Sequence, residues 1–504
     1  MISVHPPGMQ YSSGLLSYLK SVEVGKGIVL RTPMFKSENV DNVLDRWLHQ
    51  LEGHADMFPP ALMDLELSQL DKVGPKSVRF PLVDRMPDIK AYFTSFRKPE
   101  VDLYMRETMD YFSGQRRNYL NPLDLARAMS QLPQNTNSGF PFFTKRGKVK
   151  NETYRMAVRK KNWFQPAILG WRGQSGGRDE EDVKQRVVFI FSYITNAIEA
   201  TFSIPAYEYL KWFPEYAAWV SQDATDERIT SIFEALKDNE VILSSDYSGY
   251  DQHVGPEQMS IYADFMTASF PSKFASIIEE VISNVNTVPL IVAQDRMLVG
   301  KHGLGSGSNL TNQAGSYINA NIQYASPHSV TGTGTFLGDD GVIIVRSVDQ
   351  HLDFLGRVGF DANVEKQMIS KDNIHYLQRL YYRHYRPGGA CRGIFPTMRA
   401  LGALLWNERH HDPKQWSHVM ETIRMIMIVQ NTEWHPLYKE FVHFTGEGDK
   451  YLKSSLKKIK GDPSHVRVAK SIPGFLPTYT QERNIDGLTG FKTFKILCEK
   501  VGIA

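Results

Sequence analysis

Two apolar stretches that are interrupted by acidic turns constrain the fold of this chain more than any other feature. The first, residues 241–243, leads into Ser-Ser-Asp-Tyr-Ser-Gly-Tyr-Asp at 244–251. The second is split, because residues 335–337 and 342–345 flank Gly-Asp-Asp-Gly at 338–341. Short apolar runs are typical of buried strands, and Asp and Gly are typical of tight turns. The pattern predicts a buried strand that ends in an acidic turn and, later, a hairpin with carboxylates at its tip.

The acids of these turns, Asp246, Asp339 and Asp340, are candidate metal ligands. Phosphoryl transfer by two metal ions needs at least two carboxylates from separate strands, a few Å apart. Pairing of the two strands would bring Asp246 and Asp339 to one sheet edge, with Asp340 as a supporting ligand. Mg²⁺ suits such a site because it takes its remaining ligands from water and substrate phosphates. The alternative interpretation is structural, since hairpin turns select Asp and Gly anyway.

The composition limits the class of protein. With 504 residues, 42% of them apolar and 22% charged, the chain suits a globular protein of two to four domains. Two cysteines, Cys391 and Cys498, are too few for a disulfide scaffold or a four-cysteine zinc site. We expect neither secretion nor a membrane span, because the sequence shows no secretory leader and no run of 18 apolar residues.

Apolar residues at helical spacing predict where the helices lie. Such spacing between residues 40 and 51 predicts an early helix, and between 416 and 427 it predicts a mainly helical C-terminal fifth. Asn121 as cap and Pro122 in the first turn predict the start of another helix. Because the strands fall between these regions, we predict that the middle of the chain is α/β.

Positive charge is concentrated in one part of the chain, although the formal net charge is only +3. Residues 145–186 contain twelve Lys or Arg and five acids, and a Gly-rich segment at 173–177 precedes the apolar run 187–191. Basic side chains on such a loop would neutralise a triphosphate or hold the phosphates of a nucleic acid. The alternative is a solvated charge run in which the acids at 179–182 are the partners.

The order of three motifs resembles that of the viral RNA-dependent RNA polymerases. The motifs are SDYSGYD, GLGSGSNLTNQAGS and GDD, with Ser306 60 residues after Asp246 and Asp339 33 residues after Ser306. They look like motif A with Asp246 and Asp251, motif B with Ser306, Gly307 and Thr311, and motif C. Composition and the form of motif B look most like the polymerases of picobirnaviruses and partitiviruses, which are double-stranded RNA viruses.

Further segments follow the order of that family. Ser138-Gly139-Phe140-Pro141 looks like motif G, which guides the template, and Lys184-Gln185-Arg186 looks like the basic motif F. Residues 363–366 resemble motif D, whose lysine, here Lys366, is implicated as the proton donor to pyrophosphate. Lys371 is the alternative donor. Residues 376–379 resemble motif E, which grips the primer end.

The resemblance implies an α/β (α+β) right-hand fold with fingers, a palm built on an antiparallel sheet with helices, and a mainly helical thumb. Residues 1–240 would form the N-terminal segment and fingers. Residues 241–395 would form the palm, with a fingers insertion at about 266–300, and residues 396–504 the thumb and tail.

The resemblance also implies a role for each site residue. Asp246, Asp339 and Asp340 would hold two Mg²⁺ ions, for which Mn²⁺ could substitute, and Lys366 would protonate the leaving pyrophosphate. The nucleotide would be bound by Arg178, Lys184, Arg186, Asp251, Ser306, Gly307, Thr311 and Asn312. The template would be bound by Ser138, Gly139, Pro141, Lys145, Arg146 and Lys148.

One departure from the family concerns recognition of the ribose. Many relatives place Asn or Asp four residues after the motif B threonine, where this chain has Gly315, and the nearby amide is Asn312. Selection of ribonucleotides requires a hydrogen bond to the 2′-hydroxyl, because that group alone distinguishes the sugars. Asp251 and Ser306 are the candidates, with Asn312 as a substitute. Alternatively, Asn312 only caps the following helix.

The expected partners are an RNA template and product, ribonucleoside triphosphates and, as a further candidate, viral capsid protein. We expect a monomer without a membrane partner, working in the virion interior or the host cytoplasm. Reverse transcription is the main alternative activity, although Gly338 stands where reverse transcriptases commonly have Met or Val. A non-catalytic RNA-binding structural protein is the alternative from another class, and the intact acids argue against it.

Overall fold

The computed structural model describes residues 1–6, 8–101, 111–112, 119–159, 163–362, 367–410, 414, 416–462, 464–472 and 485–503. The chain divides into two compact units. Unit 1 comprises Met1–Gly25, Phe80–Trp171 and Val187–Leu377. Unit 2 comprises Lys26–Arg79, Arg172–Arg186 and Gln378–Ala504. The predicted assignment to fingers, palm and thumb stays a prediction.

The α-helices among the described residues are, in chain order, α1 Ser13–Val24, α2 Val40–Glu52, α3 Leu62–Leu70, α4 Leu82–Thr94, α5 Leu125–Gln131, α6 Lys150–Val158, α7 Tyr193–Leu210, α8 Gln222–Ala235, α9 Tyr250–His253, α10 Pro256–Ser269, α11 Ala275–Val285, α12 Thr311–Ala325, α13 Val348–Val358, α14 Thr397–Leu405, α15 His418–Gln430, α16 Tyr438–Glu447, α17 Leu452–Gly461, α18 Ser464–Ser471 and α19 Lys492–Lys500. The predicted early helix and the helical C-terminal fifth are confirmed. The predicted start at Asn121 is wrong, because the side chain of Asp124 caps α5 by accepting from the backbone N of Arg127.

The strands are, in chain order, β1 Ile2–Val4, β2 Ala167–Gln174, β3 Lys184–Ile190, β4 Val241–Ser245, β5 Leu290–Ala293, β6 Arg296–Val299, β7 Thr335–Leu337, β8 Asp340–Val345, β9 Met368–Ser370, β10 Asn373–Tyr376 and β11 Arg379–Tyr382. In unit 1, four of them form a sheet in the order β7-β8-β4-β9, and each neighbouring pair is antiparallel. The mixture of helices with antiparallel sheet confirms the α+β fold class.

The central sheet of unit 1 is buried because its two inner strands are apolar on both faces. Ile242 and Leu243 of β4 and residues 342–345 of β8 are 0% exposed. Helix α12 packs beside this sheet against β7, and its residues from Gln313 to Tyr324 are all buried. The sequence thus places a largely polar helix in the core, where its amides need internal partners.

Unit 2 has its own apolar core, formed by α2 and the helices after residue 395. Trp47 of α2 packs there and donates from Nε1 to Thr397 Oγ1 at 2.8 Å. Buried Glu66 accepts from the backbone nitrogens of Thr397 and Met398, which lie in the first turn of α14. Among the described residues, none of the helices combines the length and the apolar content that a bilayer crossing needs.

Candidate active site

The register between β4 and β8 brings the predicted acids together. Ser245 is opposite Gly341, so Asp246, the next residue after Ser245, and Asp340, the residue before Gly341, lie at the same end of the two strands. Asp339 lies in the two-residue turn before Asp340, since Leu337 pairs with Asp340. All three aspartates are exposed. Acids 93 residues apart in the chain therefore lie together at one end of these strands, as the sequence predicted. We call this end of the strands the sheet edge.

The GDD turn, residues 338–340, is held by side chains of α12. Gly338 has a φ of 62°, which glycine adopts without steric cost. Its backbone N donates to Ser316 Oγ at 2.8 Å. Asn319 Nδ2 donates to the carbonyl oxygens of Gly338 at 3.0 Å and Asp339 at 3.2 Å. The backbone on both sides of the Asp339 Cα is thereby tied to one helix.

A chain of buried hydrogen bonds fixes the orientation of Asn319. Gln323 Nε2 donates to Tyr247 Oη at 2.9 Å, so the Tyr247 hydroxyl donates in turn to Asn319 Oδ1 at 3.0 Å. His351 Nε2 donates to Gln323 Oε1 at 2.6 Å. Because Oδ1 faces a donor, Nδ2 has to face the GDD turn. None of these residues was predicted from the sequence, because Asn319 and Gln323 are two of several polar residues on α12 and no local pattern sets them apart.

Burial, more than nearby charge, shifts the pKa values of the side chains around the turn. Burial raises the pKa of Tyr247 far above its usual range, and the Asp339 carboxylate adds to the rise. Burial likewise raises the pKa of Tyr250, and the carboxylates of Asp251 and Asp339 add to it. Burial, with His328 nearby, lowers the pKa of His351 to about 4. The buried hydroxyl groups of Tyr247 and Tyr250 therefore stay neutral.

The backbone of Asp246 is held by a side chain from the segment before β9. Gln367 Nε2 donates to Asp246 O at 2.7 Å, and Gln367 Oε1 accepts from Asp246 N at 3.0 Å. Lys366, the predicted proton donor, lies outside the described residues. The alternative, Lys371, donates to Asp238 O, and Ser370 before it is opposite Ile242. Ile242 is about 13 Å along β4 from Asp246, which makes Lys371 the weaker candidate.

The 300–310 loop, which contains the predicted Ser306 and Gly307, is tightly tethered. Leu304 N donates to Asp251 O at 2.6 Å, and Thr311 Oγ1 donates to Gly305 O at 2.5 Å. Ser306 Oγ accepts from Phe189 N at 3.3 Å. A Cβ at Gly307 would lie 1.9 Å from Phe189 O, so only glycine fits there. The structure thus brings Asp251, Ser306, Gly307 and Thr311 into one part of unit 1.

Asn312 lies beside the GDD turn and does not cap α12. The cap residue of that helix is Leu310, so the capping alternative is wrong. Trp219 Nε1 donates to Asn312 Oδ1 at 2.9 Å, which leaves Nδ2 on the opposite side. Nδ2 lies 4.0 Å from the position that a Cβ on Gly338 would take. The exposed amide therefore presents a donor next to Asp339, an arrangement that suits a sugar hydroxyl.

The predicted template-binding residues differ in their surroundings. Ser138 is 0% exposed, and its Oγ accepts from Thr144 N at 3.1 Å. Gly139 has a φ of 62°, and Pro141 follows a cis peptide bond. Lys145 and Lys148 are exposed. The guanidinium of Arg146 instead faces the interior and donates to Asn196 Oδ1 at 2.5 Å. Within this set, Lys145 and Lys148 present charge to solvent.

The other predicted basic residues belong to unit 2. Arg178 forms an ion pair with Asp41 at 3.5 Å. Lys184 and Arg186 are exposed and alternate on β3 with buried Gln185 and Val187. Residues two apart on a strand face the same side, so Lys184 and Arg186 form one basic face. Their contact with a nucleotide stays a prediction.

The carboxylates at the sheet edge suit a hard, oxygen-binding cation such as Mg²⁺. Within the described ranges, no group of three or more His, Cys, Asp or Glu side chains is placed to hold a metal ion. Asp246, Asp339 and Asp340 therefore do not complete a metal site by themselves. Mg²⁺ commonly binds through one or two carboxylates together with water and substrate phosphates. The three aspartates thus fit a Mg²⁺ ion that binds together with a phosphate-containing substrate.

Comparisons with known proteins agree with this geometry. The family described as "Viral RNA-dependent RNA polymerase" matches residues 87–435. The chain is 34% identical over 490 residues to a "Potential RNA-dependent RNA polymerase" of human picobirnavirus (strain Human/Thailand/Hy005102/-), covering 93% of this chain and 88% of that protein.

Solved structures are similar over nearly the whole chain. The crystal structure of the RNA-dependent RNA polymerase of a human picobirnavirus superposes with a TM-score of 0.87 at 30% identity, covering 99% of this chain and 98% of the other. An insertion-loop deletion mutant of such a polymerase gives a TM-score of 0.84 at 31% identity, covering 97% of each chain.

Proposed function

Because this chain belongs to the viral RNA-dependent RNA polymerases, we propose that it replicates and transcribes a viral RNA genome at the sheet edge formed by Asp246, Asp339 and Asp340. The family generally uses divalent metal ions. Membership in this family argues against the two alternatives raised by the sequence, a reverse transcriptase and a non-catalytic RNA-binding protein.

The proposed reaction is nucleotidyl transfer. The 3′-oxygen of the growing strand bonds to the α-phosphorus of a ribonucleoside triphosphate, the bond from that phosphorus to pyrophosphate breaks, and the hydroxyl proton passes to water. Asp246 and Asp339, supported by Asp340, would hold two Mg²⁺ ions, or Mn²⁺ in their place, which promote deprotonation of the hydroxyl and neutralise the triphosphate. Lys366 would return a proton to pyrophosphate.

Other residues of the chain would bind the substrates. Arg178, Lys184 and Arg186 would neutralise phosphate charge. Asn312, oriented by Trp219, would donate to the 2′-hydroxyl of the incoming nucleotide. Asp251 and Ser306 remain alternative candidates for that contact.

The antiparallel register of β4 and β8 is the observation that carries the proposal. It brings two exposed acids from distant parts of the chain to the same end of two buried strands. Preorganised charge of this kind stabilises a phosphoryl-transfer transition state without reorganisation during the reaction.

Asp339→Asn tests the proposal, with Asp349→Asn as the matched control. Asp349 is an exposed aspartate in the first turn of α13, outside the predicted motifs. With purified protein, a short single-stranded RNA, four ribonucleotides and Mg²⁺, we expect Asp339→Asn to lower incorporation by about a thousandfold or more, because it removes charge from the metal-binding edge. Asp349→Asn should retain wild-type incorporation. Near-normal synthesis by folded Asp339→Asn would refute the assignment.

We further propose that the protein works as a monomer in the virion interior or the host cytoplasm, with viral capsid protein as a candidate partner and without a membrane partner. Its similarity to picobirnavirus polymerases supports the viral setting of this proposal. Light scattering of the purified chain, alone and mixed with capsid protein, would measure both the oligomeric state and the association.

We retain the division into N-terminal segment and fingers (1–240), palm (241–395, with a fingers insertion at about 266–300), and thumb and tail (396–504) as part of the proposal. The sheet β7-β8-β4-β9 supports the palm assignment, because it carries the acids.

A further inference from the structure

One buried carboxylate anchors the 300–310 loop. Glu199 of α7 is 0% exposed. Its Oε1 accepts from Ser308 Oγ at 2.8 Å, and its Oε2 accepts from Asn309 N at 2.8 Å. Ser308 and Asn309 directly follow Ser306 and Gly307, the predicted nucleotide-binding residues. The carboxylate therefore holds the loop at the point where binding is expected.

Asn196, one turn earlier on α7, makes a second set of contacts with the same loop. Its Nδ2 donates to Glu199 Oε2 at 3.0 Å and to Gly307 O at 3.2 Å. Its backbone oxygen accepts from Asn309 Nδ2 at 2.6 Å. Asn196 is also 0% exposed, so these polar groups depend on one another for partners.

Arg146 determines which way the Asn196 amide faces. Its Nη2 donates to Asn196 Oδ1. A guanidinium has donors and no acceptor, so the amide oxygen has to face Arg146 and the amide nitrogen has to face Glu199 and Gly307. With the amide reversed, its nitrogen would meet a donor and its oxygen a carboxylate, leaving buried groups unsatisfied.

The surroundings of Arg146 favour this internal role over contact with RNA. Its guanidinium lies 5.1 Å from the ring centre of Tyr193. Burial lowers the pKa of Arg146, whereas Tyr193 and Glu199 act in the opposite direction. Burial raises the pKa of Glu199 to about 7. Arg146 is only partly exposed and its Nη2 is already bonded to Asn196, whereas Lys145 and Lys148 beside it are exposed.

We propose that Arg146 is a positioning residue for the 300–310 loop, acting through Asn196 and Glu199, and is not a phosphate contact for the template. This inference rests on the proposed function, because it assumes that the loop binds the incoming nucleotide. Arg146 would link the segment that carries the predicted template-binding lysines to the nucleotide site through two buried side chains, Asn196 and Glu199.

Arg146→Lys distinguishes positioning from phosphate binding, because lysine keeps the charge and loses the planar fork. The measurements are the apparent Kd for the ribonucleotide in single-nucleotide incorporation and the affinity for single-stranded RNA at several salt concentrations. We expect the nucleotide Kd to rise by roughly tenfold, as for loss of a hydrogen bond to a charged group. Template affinity and its salt dependence should stay at the wild-type values.

Two sets of variants serve as controls. Arg155→Lys changes an exposed arginine of the same basic stretch, whose side chain is 69% exposed, and should alter neither quantity. Lys145→Met and Lys148→Met should lower template affinity and reduce the slope of log affinity against log salt by about 0.7 each.

Asn196→Ala supplies an independent test, which also serves if Arg146→Lys fails to fold. It should raise the nucleotide Kd and leave template affinity unchanged. If Arg146 acts only through Asn196, combining the two substitutions should be no worse than Asn196→Ala alone. Additive effects would overturn the proposal, as would weaker template binding by Arg146→Lys with an unchanged nucleotide Kd. Failure of the proposed function is separate, since it would appear as activity of Asp339→Asn.

Discussion

Asn319 should control catalysis although it touches no substrate, and Asn319→Leu tests this role. The substitution keeps the side-chain volume nearly constant but removes the donor that binds Gly338 O at 3.0 Å and Asp339 O at 3.2 Å. It also removes the acceptor of the Tyr247 hydroxyl. Loss of buried hydrogen bonds of this kind should lower the free energy of unfolding by about 1–3 kcal/mol.

The catalytic effect should be larger than the effect on stability suggests. Asp339 is exposed on a turn, so its position depends on the backbone that Asn319 holds. A displacement of about 1 Å at a reacting group can cost on the order of a hundredfold in rate. We therefore expect the single-nucleotide incorporation rate at saturating RNA and ribonucleotide to fall by about a hundredfold.

Asn321→Leu is the matched control. Asn321 lies on the same helix, is 3% exposed, and donates to Tyr317 O at 2.8 Å without contacting the GDD turn. Chemical denaturation should show a loss of stability of about 1 kcal/mol, with little change in rate. The reasoning would be refuted if Asn319→Leu kept a rate within threefold of wild type, or if both variants lost activity equally.

Three further predictions concern selectivity, pH and packing. Asn312→Ala should reduce the preference for ribonucleotides over deoxyribonucleotides by roughly tenfold or more, because the donor beside Asp339 is lost; an unchanged preference in competition assays would exclude this residue as the sugar contact. Because the pKa of Glu199 is raised from 4.5 to about 7 in the folded state, its contribution to stability should be complete below about pH 4.5 and be lost as the pH rises through 7. Urea denaturation should show a weaker decline across this range for Glu199→Gln, and identical pH profiles would contradict the assignment. Gly307→Ala should lose most activity, because its Cβ would lie 1.9 Å from Phe189 O. Gly356→Ala is the control and should behave like wild type, because the space around its Cβ is open. An active Gly307→Ala would contradict the tight packing of the 300–310 loop against Phe189.

Local chemistry in the sequence was sufficient to predict the central strands and the acids that they carry. The runs at 241–243 and 342–345 become β4 and β8 because continuous apolar residues are stable only where both faces of a strand are covered. Gly338 and Asp339 form the predicted turn because their backbone preferences suit it. The resemblance to a polymerase family rests on the same residues.

The roles of buried polar residues could be decided only by the tertiary structure. Nothing local distinguishes Asn319, which holds the GDD turn, from Asn321, which bonds to its own helix. Likewise, Arg146 lies in a basic stretch with Lys145 and Lys148, yet its guanidinium faces Asn196, 50 residues away.

The sequence by itself determined where strands and turns would form and which acids they would carry, because strands and turns depend on neighbours along the chain. Only the tertiary structure decided which buried amide, carboxylate or guanidinium binds which partner. A buried polar group has to find a donor or acceptor wherever the fold supplies one, and for Glu199 that partner is 110 residues away at Asn309.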